Sequence, residues 1–259
     1  MVDPGDEAAG RLWAELDRVV RATGKPLTWI LVTHSHPDHV ANLSFLTERI
    51  PGARVLAHGR SPLACHRRVS APCSLPVGPG IRALPSPGHS AAGDDLAFWV
   101  PALRALFSGD LVQPKGETWE QAFYPSPYPY FTDGDTYLRS LEALRALPVE
   151  ILVTGHREVR EHAEARRWIE LTARAIRRVE EAVRSWDGPE DLAVAAPEIF
   201  RRLCEERGIP PDVVRARMAR SGGLLSPFEQ YDLPGIAWYW NKHRLGGRAF
   251  DPGGRGTVS

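Results

Sequence analysis

Seven consecutive residues, Thr33-His34-Ser35-His36-Pro37-Asp38-His39, constrain this chain more than any other stretch. Four of the seven can bind a metal, in the spacing H-x-H-x-D-H. An apolar run at 29–32 precedes them and is typical of a buried strand, and 40–50 follows with apolar residues at helical spacing. The run therefore lies on a strand-to-helix turn, where side chains converge on one point. Imidazole and carboxylate together suit zinc, and also iron or manganese.

Three further candidate ligands each follow a glycine at the end of a strand-like run. Glycine there lets the backbone approach a metal closely. Each pair alone is more simply a structural turn, but together with the first motif they make seven potential ligands. Seven exceed what one tetrahedral zinc uses, and they match two metals that share a bridging carboxylate and a bridging water. The full set is His34, His36, Asp38, His39, His89, Asp110 and His156.

The composition argues against several broad classes of protein. The 259 residues are 43% hydrophobic and 25% charged, which is typical of a globular chain. A net charge of zero gives no general reason to bind nucleic acid or an anionic membrane. No apolar run approaches the ~20 residues of a membrane span, and the N-terminus lacks a signal-peptide pattern. Three cysteines without C-x-x-C spacing imply no disulfide framework, so we expect a cytoplasmic protein.

Strand-like and helix-like segments alternate as far as residue 153, and this alternation predicts an α/β layered fold. The spacing predicts an amphipathic helix at 6–21 and a second one that Thr132 or Asp133 caps. Residues 61–79 look like a loop. Runs typical of strands lie at 53–58, 81–84, 96–100, 104–107 and 149–153, and the third and fourth of these predict a hairpin.

The character of the chain changes after residue 157. A helical stripe extends to Trp186, shorter helices are expected at 197–207 and 211–220, and glycine, proline and aromatics break up 221–242. These patterns predict a catalytic domain at 1–159, a helical region at 160–245 and a disordered tail at 246–259.

Five motifs resemble those of the metallo-β-lactamase superfamily, in its glyoxalase II-like hydrolase branch, over roughly residues 3–156. They are Val2-Asp3-Pro4-Gly5, the H-x-H-x-D-H run, Pro87-Gly88-His89, Ser108-Gly109-Asp110 and Thr154-Gly155-His156. The resemblance implies an αββα sandwich with the site at one edge of two facing sheets. A C-terminal helical appendage follows it here.

The resemblance also implies a role for each ligand. His34, His36 and His89 would hold one metal, and a second group would hold the other. That group is Asp38, His39 and His156, and Asp110 would bridge the two metals. Asp3 would orient the ligand loop by hydrogen bonds without touching metal.

The implied cofactors are two Zn²⁺ ions, with iron or manganese as alternatives, and the implied partner is a small-molecule substrate. A hydroxide held by both metals would attack an ester, thioester, lactone or phosphodiester. Asp38 and Asp110 are the expected catalytic residues, and Asp38 would steer the water's remaining proton. A tyrosine of the aromatic segment 119–131 is a candidate oxyanion donor, although hydrophobic cover is the simpler interpretation of that segment.

Several other functions stay open at this point. An endoribonuclease-like phosphodiesterase would explain the helical appendage, but the neutral net charge disfavours binding to nucleic acid. The arginine-rich helical face is interleaved with glutamates and is most simply a solvated surface. A persulfide dioxygenase would use a single iron, which metal analysis distinguishes. Residues 157–160 do not match the glutathione-binding sequence of glyoxalase II. A homo-oligomer is compatible with all these options, and a non-catalytic scaffold is disfavoured by the complete ligand set.

Members of this family normally carry two or three strands before the turn at Asp3, where this chain has two residues. We therefore expect either an upstream start or a first sheet with an exposed edge, which would favour self-association.

Overall fold

The computed structural model describes residues 1–75, 77, 80–113, 125–156, 159–220 and 224–246. The chain divides into two compact units: Met1–Val112 with Arg139–Ile169, and Gln113–Leu138 with Glu170–Ser259. The division predicted at residue 159 remains a prediction, and the predicted tail lies, apart from Gly246, outside the described residues. Among the helices described, none is both long and apolar enough to cross a membrane.

A small parallel sheet carries the first ligand loop. In the described residues it contains β1 (Trp29–Leu31), β2 (Arg54–His58) and β3 (Arg67–Val69), in that order. Val2 pairs with Leu31 in a parallel bridge beside β1. Because the strands are parallel, their carboxyl ends share one edge, and the H-x-H-x-D-H run leaves the sheet at that edge.

A larger sheet of the described chain carries the remaining ligands. The order along the sheet is β4 (Cys73–Ser74), β5 (Arg82–Pro85), β6 (Leu96–Val100), β7 (Ala105–Gly109), β8 (Ile151–Thr154) and β9 (Val159–Glu161). Neighbouring strands run antiparallel except for β7 and β8, which run parallel, so the residues that follow these two strands lie side by side.

The alternation of side chains along β1 and β2 builds the layers of the first unit. Ile30 and Val55 point to one face, where Leu12, Trp13 and Leu16 pack against them. The opposite face packs against the larger sheet through a second apolar cluster: Leu31, Leu56, Val69, Ala83, Leu96 and Phe98. Two facing sheets with a helix on the outside confirm the expected sandwich.

The helices lie at α1 (Ala9–Thr23), α2 (Pro37–Val40), α3 (Leu43–Arg49), α4 (Gly134–Arg145), α5 (His162–Arg184), α6 (Leu192–Glu206), α7 (Pro211–Met218) and α8 (Leu233–His243). Gly24, at φ +66°, ends α1 with its N–H donating to the carbonyl of Val20. The predicted cap of the second helix is confirmed, since Asp133 accepts the N–H of Thr136 at 2.9 Å at the start of α4.

Two predictions of local structure are wrong, and one strand was not predicted. The expected loop 61–79 contains β3 and β4, and β9 was not expected at all, because such short strands owe their existence to partners elsewhere in the chain. Leu233–His243 is helical, although its proline and glycine predicted irregular structure. Pro234 is tolerated in the first turn, and Gly235 packs closely against the ring of Phe131.

Candidate metal centre

The first ligand loop is held by the carboxylate of Asp3. Asp3 lies in the left-handed region at φ +42° and accepts the N–H of Thr33 at 2.7 Å and its hydroxyl at 2.6 Å. The same carboxylate lies 2.9 Å from Nδ1 of His39. A carboxylate only accepts, so Nδ1 of His39 carries the proton and Nε2 faces the site. This arrangement orients the loop as the family resemblance implied for Asp3.

Among the described residues, the seven predicted ligands lie together in the first unit as two groups. The first is a three-histidine group, in which Nδ1 of His36 lies 2.9 Å from Nε2 of His34 and 3.2 Å from Nε2 of His89. In each group one candidate atom per residue lies within 4.8 Å of all the others. The first group therefore has the spacing that three imidazoles around one ion require.

The second group combines two carboxylates with two imidazoles: Asp38, His39, Asp110 and His156. We call it the carboxylate group. Asp110 Oδ1 lies 3.2 Å from Nε2 of His39, and Oδ2 lies 3.0 Å from Nε2 of His156. Asp110 Oδ2 also lies 3.6 Å from Nε2 of His89, which belongs to the three-histidine group. The carboxylate of Asp110 thus faces both groups at once.

Glycine permits this convergence at two points. A Cβ on Gly155 would lie 2.2 Å from Oδ1 of Asp110 and 2.6 Å from Cε1 of His39, so no larger residue fits there. Gly88, directly before His89, has φ +134°, which L side chains rarely adopt. Gly155 therefore allows the expected close approach, and Gly88 permits a backbone conformation that positions His89.

Burial sets the protonation of the three-histidine group. Burial lowers the pKa of His34 well below its ordinary value, and the neighbouring His89 lowers it further. Burial also lowers the pKa of His36. Both rings are therefore neutral near pH 7, and a neutral imidazole has the lone pair that a metal requires.

The carboxylate group has the opposite electrostatics. Burial alone would lower the pKa of His39, but hydrogen bonds with Asp110 and Asp3 outweigh it and raise this pKa to about 11. Burial would raise the pKa of Asp110, but hydrogen bonds from His156 and His39 hold it well below its usual range. Asp110 therefore stays ionised, and the group presents negative charge to a cation.

The donor set fits metal ions. Five imidazoles and two carboxylates form the set that suits zinc and related cations. Nε2 of His39 is buried and faces both carboxylates of its group, with Asp110 Oδ1 at 3.2 Å and Asp38 Oδ2 at 3.8 Å. A cation placed among these atoms would have an imidazole nitrogen and carboxylate oxygens as ligands.

Other sequence candidates are occupied elsewhere. His58 and His66 lie outside both ligand groups, and their Nδ1 atoms accept the N–H groups of Arg60 and Val55 at 3.1 and 3.0 Å. Tyr128 is fully buried and donates its hydroxyl to the carbonyl of Asp232 at 2.9 Å. Phe131 is fully buried as well, and the ring of Tyr130 packs edge-on against Tyr231 with centroids 6.3 Å apart. Residues 119–124 of the segment lie outside the described residues.

Two buried carboxylates directly before β6 were not predicted from the sequence. Asp94 and Asp95 are 0% and 5% exposed, and both contact Ser90, the neighbour of His89. Burial raises the pKa of Asp95 to about 7, against the hydrogen bonds from Ser90 that lower it. The available signal was a pair of acids directly before an apolar strand.

Comparisons with known proteins identify the class. The model of the metallo-beta-lactamase superfamily matches residues 1–70 and 74–156. The chain therefore belongs to the metallo-beta-lactamase superfamily, and it has the αββα fold of that family with C-terminal helices.

The individual relatives share less than a third of their residues with this chain. The chain is 28% identical to a hydroxyacylglutathione hydrolase-like protein of Mus musculus, with 80% of this chain and 84% of that protein covered. It is 27% identical to the hydroxyacylglutathione hydrolase of Acidiphilium cryptum, with 81% and 79% covered. It is 26% identical to the beta-lactamase-like protein 2 homolog of Caenorhabditis elegans, covering 60% of this chain and only 51% of that protein.

A solved structure supports the same fold. A metallo-beta-lactamase family protein from Thermus thermophilus superposes with a TM-score of 0.57 at 22% identity, covering 83% of this chain and 82% of that one. At that identity the likeness concerns the fold alone.

Proposed function

We propose that this chain is a metal-dependent hydrolase that uses two metal ions, with Zn²⁺ as the first candidate and iron or manganese as alternatives. The observation that carries the proposal is the convergence of seven ligands from four separate segments into two groups joined by Asp110. His34, His36 and His89 would hold one ion, and Asp38, His39 and His156 the other, with Asp110 between them. When bound, the two ions would supply Lewis-acid polarisation of a substrate oxygen and lower the pKa of a water molecule.

The protein's own groups would position these parts and handle the protons. Asp110 is buried and ionised, and its Oδ2 faces a histidine of each group, so it would keep the two sites at a constant separation. Asp38 is the accessible carboxylate, with 44% of its side chain exposed and Oδ2 lying 3.7 Å from Nε2 of His156. We assign to this oxygen the proton that a reacting water loses.

Carbonyl substrates, and thioesters first among them, are the proposed class. Two relatives are hydroxyacylglutathione hydrolases or like them, and a third, at 26% identity, is the thioesterase pkgB of Emericella nidulans. The sequence at 157–160 lacks the glutathione-binding pattern, so we propose a thioester or ester without a glutathione requirement.

A substrate panel on metal-analysed protein tests this proposal. It contains an acyl thioester of N-acetylcysteamine, a hydroxyacylglutathione, p-nitrophenyl acetate, a lactone and bis(p-nitrophenyl) phosphate. We expect hydrolysis of the simple thioester, its loss on chelation or in a His34→Ala variant, and its return in the native protein when Zn²⁺ is added.

Two results would overturn the proposal. Hydrolysis that survives chelation would remove the metals from the reaction, and cleavage of the phosphodiester alone would replace carbonyl chemistry with a nuclease-like activity.

A further inference from the structure

One carboxylate holds the backbone on both sides of His89. Both oxygens of Asp95 accept the N–H of Ser90 at 3.1 Å, and the N–H of Gly88 donates to the same carboxylate. The N–H groups of the two residues that flank His89 are therefore held by a single side chain, which is 5% exposed.

The hydroxyl of Ser90 completes this contact. Ser90 Oγ lies 2.8 Å from Oδ1 of Asp94 and 3.1 Å from Oδ2 of Asp95, and it accepts the N–H of Asp94 at 3.1 Å. One hydroxyl has one proton to donate, so it cannot serve two ionised carboxylates at once. A donor at position 95 that faces Ser90 would satisfy the network, and an asparagine amide supplies one.

Asp95 is itself anchored between the ligand loops. Its carbonyl accepts the N–H of Ser86 at 2.9 Å, and the next residue, Leu96, donates its N–H to the carbonyl of Thr33 at 2.7 Å. Thr33 directly precedes His34, so Asp95 and the first ligand loop share a rigid connection. Ser140 adds a hydrogen bond of 2.8 Å to the carbonyl of Pro87 on the other side of the turn.

We propose that Asp95 is a positioning residue for His89, and so for the metal that the three-histidine group would hold. Asp3 performs the corresponding task for the first ligand loop, where it holds Thr33 and His39. The proposal rests on the proposed metal centre, since a position for His89 matters to function only if that ring binds an ion.

Three variants of Asp95 and one control separate positioning from general stability. Asp95→Ala removes every acceptor, Asp95→Glu keeps the charge but displaces it by one methylene, and Asp95→Asn keeps one acceptor oxygen and gains a donor for Ser90. Asp133→Ala is the matched control, because Asp133 likewise accepts a backbone N–H and a hydroxyl, both from Thr136.

The measurements are Co²⁺ stoichiometry with its absorption spectrum, metal affinity by chelator competition, and hydrogen exchange of the Ser90 amide in metal-free protein. We expect Asp95→Ala to weaken the metal of the three-histidine group by about 10-fold or more, as supporting groups of metal sites do, while the other metal stays bound. Ser90 exchange should accelerate. Asp95→Asn should restore both readouts, and Asp133→Ala should change neither.

The outcomes distinguish this inference from the proposed function. Wild-type protein that binds no Co²⁺ would overturn the metal centre itself. Wild-type protein with two ions, and an Asp95→Ala variant with unchanged affinity and Ser90 exchange, would overturn the positioning role alone. If Asp95→Ala does not fold, the metal affinity of Asp95→Glu tests the proposal instead. A native affinity in Asp95→Glu would contradict the positioning role. A weakened affinity in Asp95→Glu together with a native affinity in Asp95→Asn would support it.

Discussion

The two ligand groups differ in charge and in access to solvent. His34 and His89 are 2% and 3% exposed, and the three-histidine group contains no carboxylate. In the carboxylate group the side chains of Asp38 and His156 are 44% and 39% exposed. In the proposed metal centre, the three-histidine group would retain its ion, whereas the carboxylate group would exchange ligands with solvent and admit a substrate.

Asp110 is the residue that makes the two groups one site, because its Oδ2 lies 3.0 Å from Nε2 of His156 and 3.6 Å from Nε2 of His89. An Asp110→Asn variant should lose the charge that faces both groups. Loss of a residue that supports a metal ligand reduces activity by up to about 100-fold, and we expect a larger loss here because Asp110 faces both groups directly. Steady-state kinetics should show this loss, and elemental analysis should show weaker binding of both ions.

His58→Ala is the control for that experiment and should leave metal content unchanged, because His58 serves only the N–H of Arg60 among the described hydrogen bonds. A fully loaded and active Asp110→Asn protein would show that the two groups are not joined in the proposed way.

Gly155 offers a way to damage the carboxylate group selectively. In Gly155→Ala the new methyl group would overlap Oδ1 of Asp110 and the ring of His39 at 2.2 and 2.6 Å. We expect loss of the ion of this group and retention of the other, read as a metal stoichiometry that falls from two to one.

Gly52→Ala is the matched control, since a Cβ there meets nothing within 4 Å. Equal metal content in the two alanine variants would contradict the close approach of Gly155.

The pH dependence of the metal-free protein should receive contributions of opposite sign from His34 and His39. His34 has a lowered pKa in the folded state, so the unfolded chain binds more protons and the free energy of unfolding falls as pH drops below about 6.5. The pKa of His39 is raised to about 11, so its stabilisation is complete below about 6.5 and is lost as pH rises toward about 11.

Thermal melts in chelator across this range measure both effects. Compared with the native chain, His39→Gln should lose less stability between about pH 7 and pH 10, and His34→Gln should lose less below about pH 6.5. Parallel profiles for all three proteins would contradict the assigned protonation states.

The sequence was most informative where function needs rare residue combinations. The H-x-H-x-D-H run and the three glycine-ligand pairs are short, local and chemically specific, and their seven side chains lie together in the structure. The predicted strand at 29–32 and the hairpin after Leu96 are also confirmed, because strongly apolar runs leave few alternatives.

Features that depend on distant partners were not predictable. Leu233–His243 forms a helix because its residues are buried: Ile236, Tyr239 and Trp240 are at most 2% exposed, and this packing outweighs the local signals of Pro234 and Gly235. Asp95 was missed for a different reason. Its partner Ser90 is only five residues away, but the pair of acids before an apolar strand does not reveal that the carboxylate folds back across the turn.

Metal content is the most direct test of the central claim, that seven residues form one centre for two ions. Protein purified without chelator should contain two ions per chain by elemental analysis, as zinc, iron or manganese, and should regain two after removal and reloading. One ion per chain, or none, would contradict that claim.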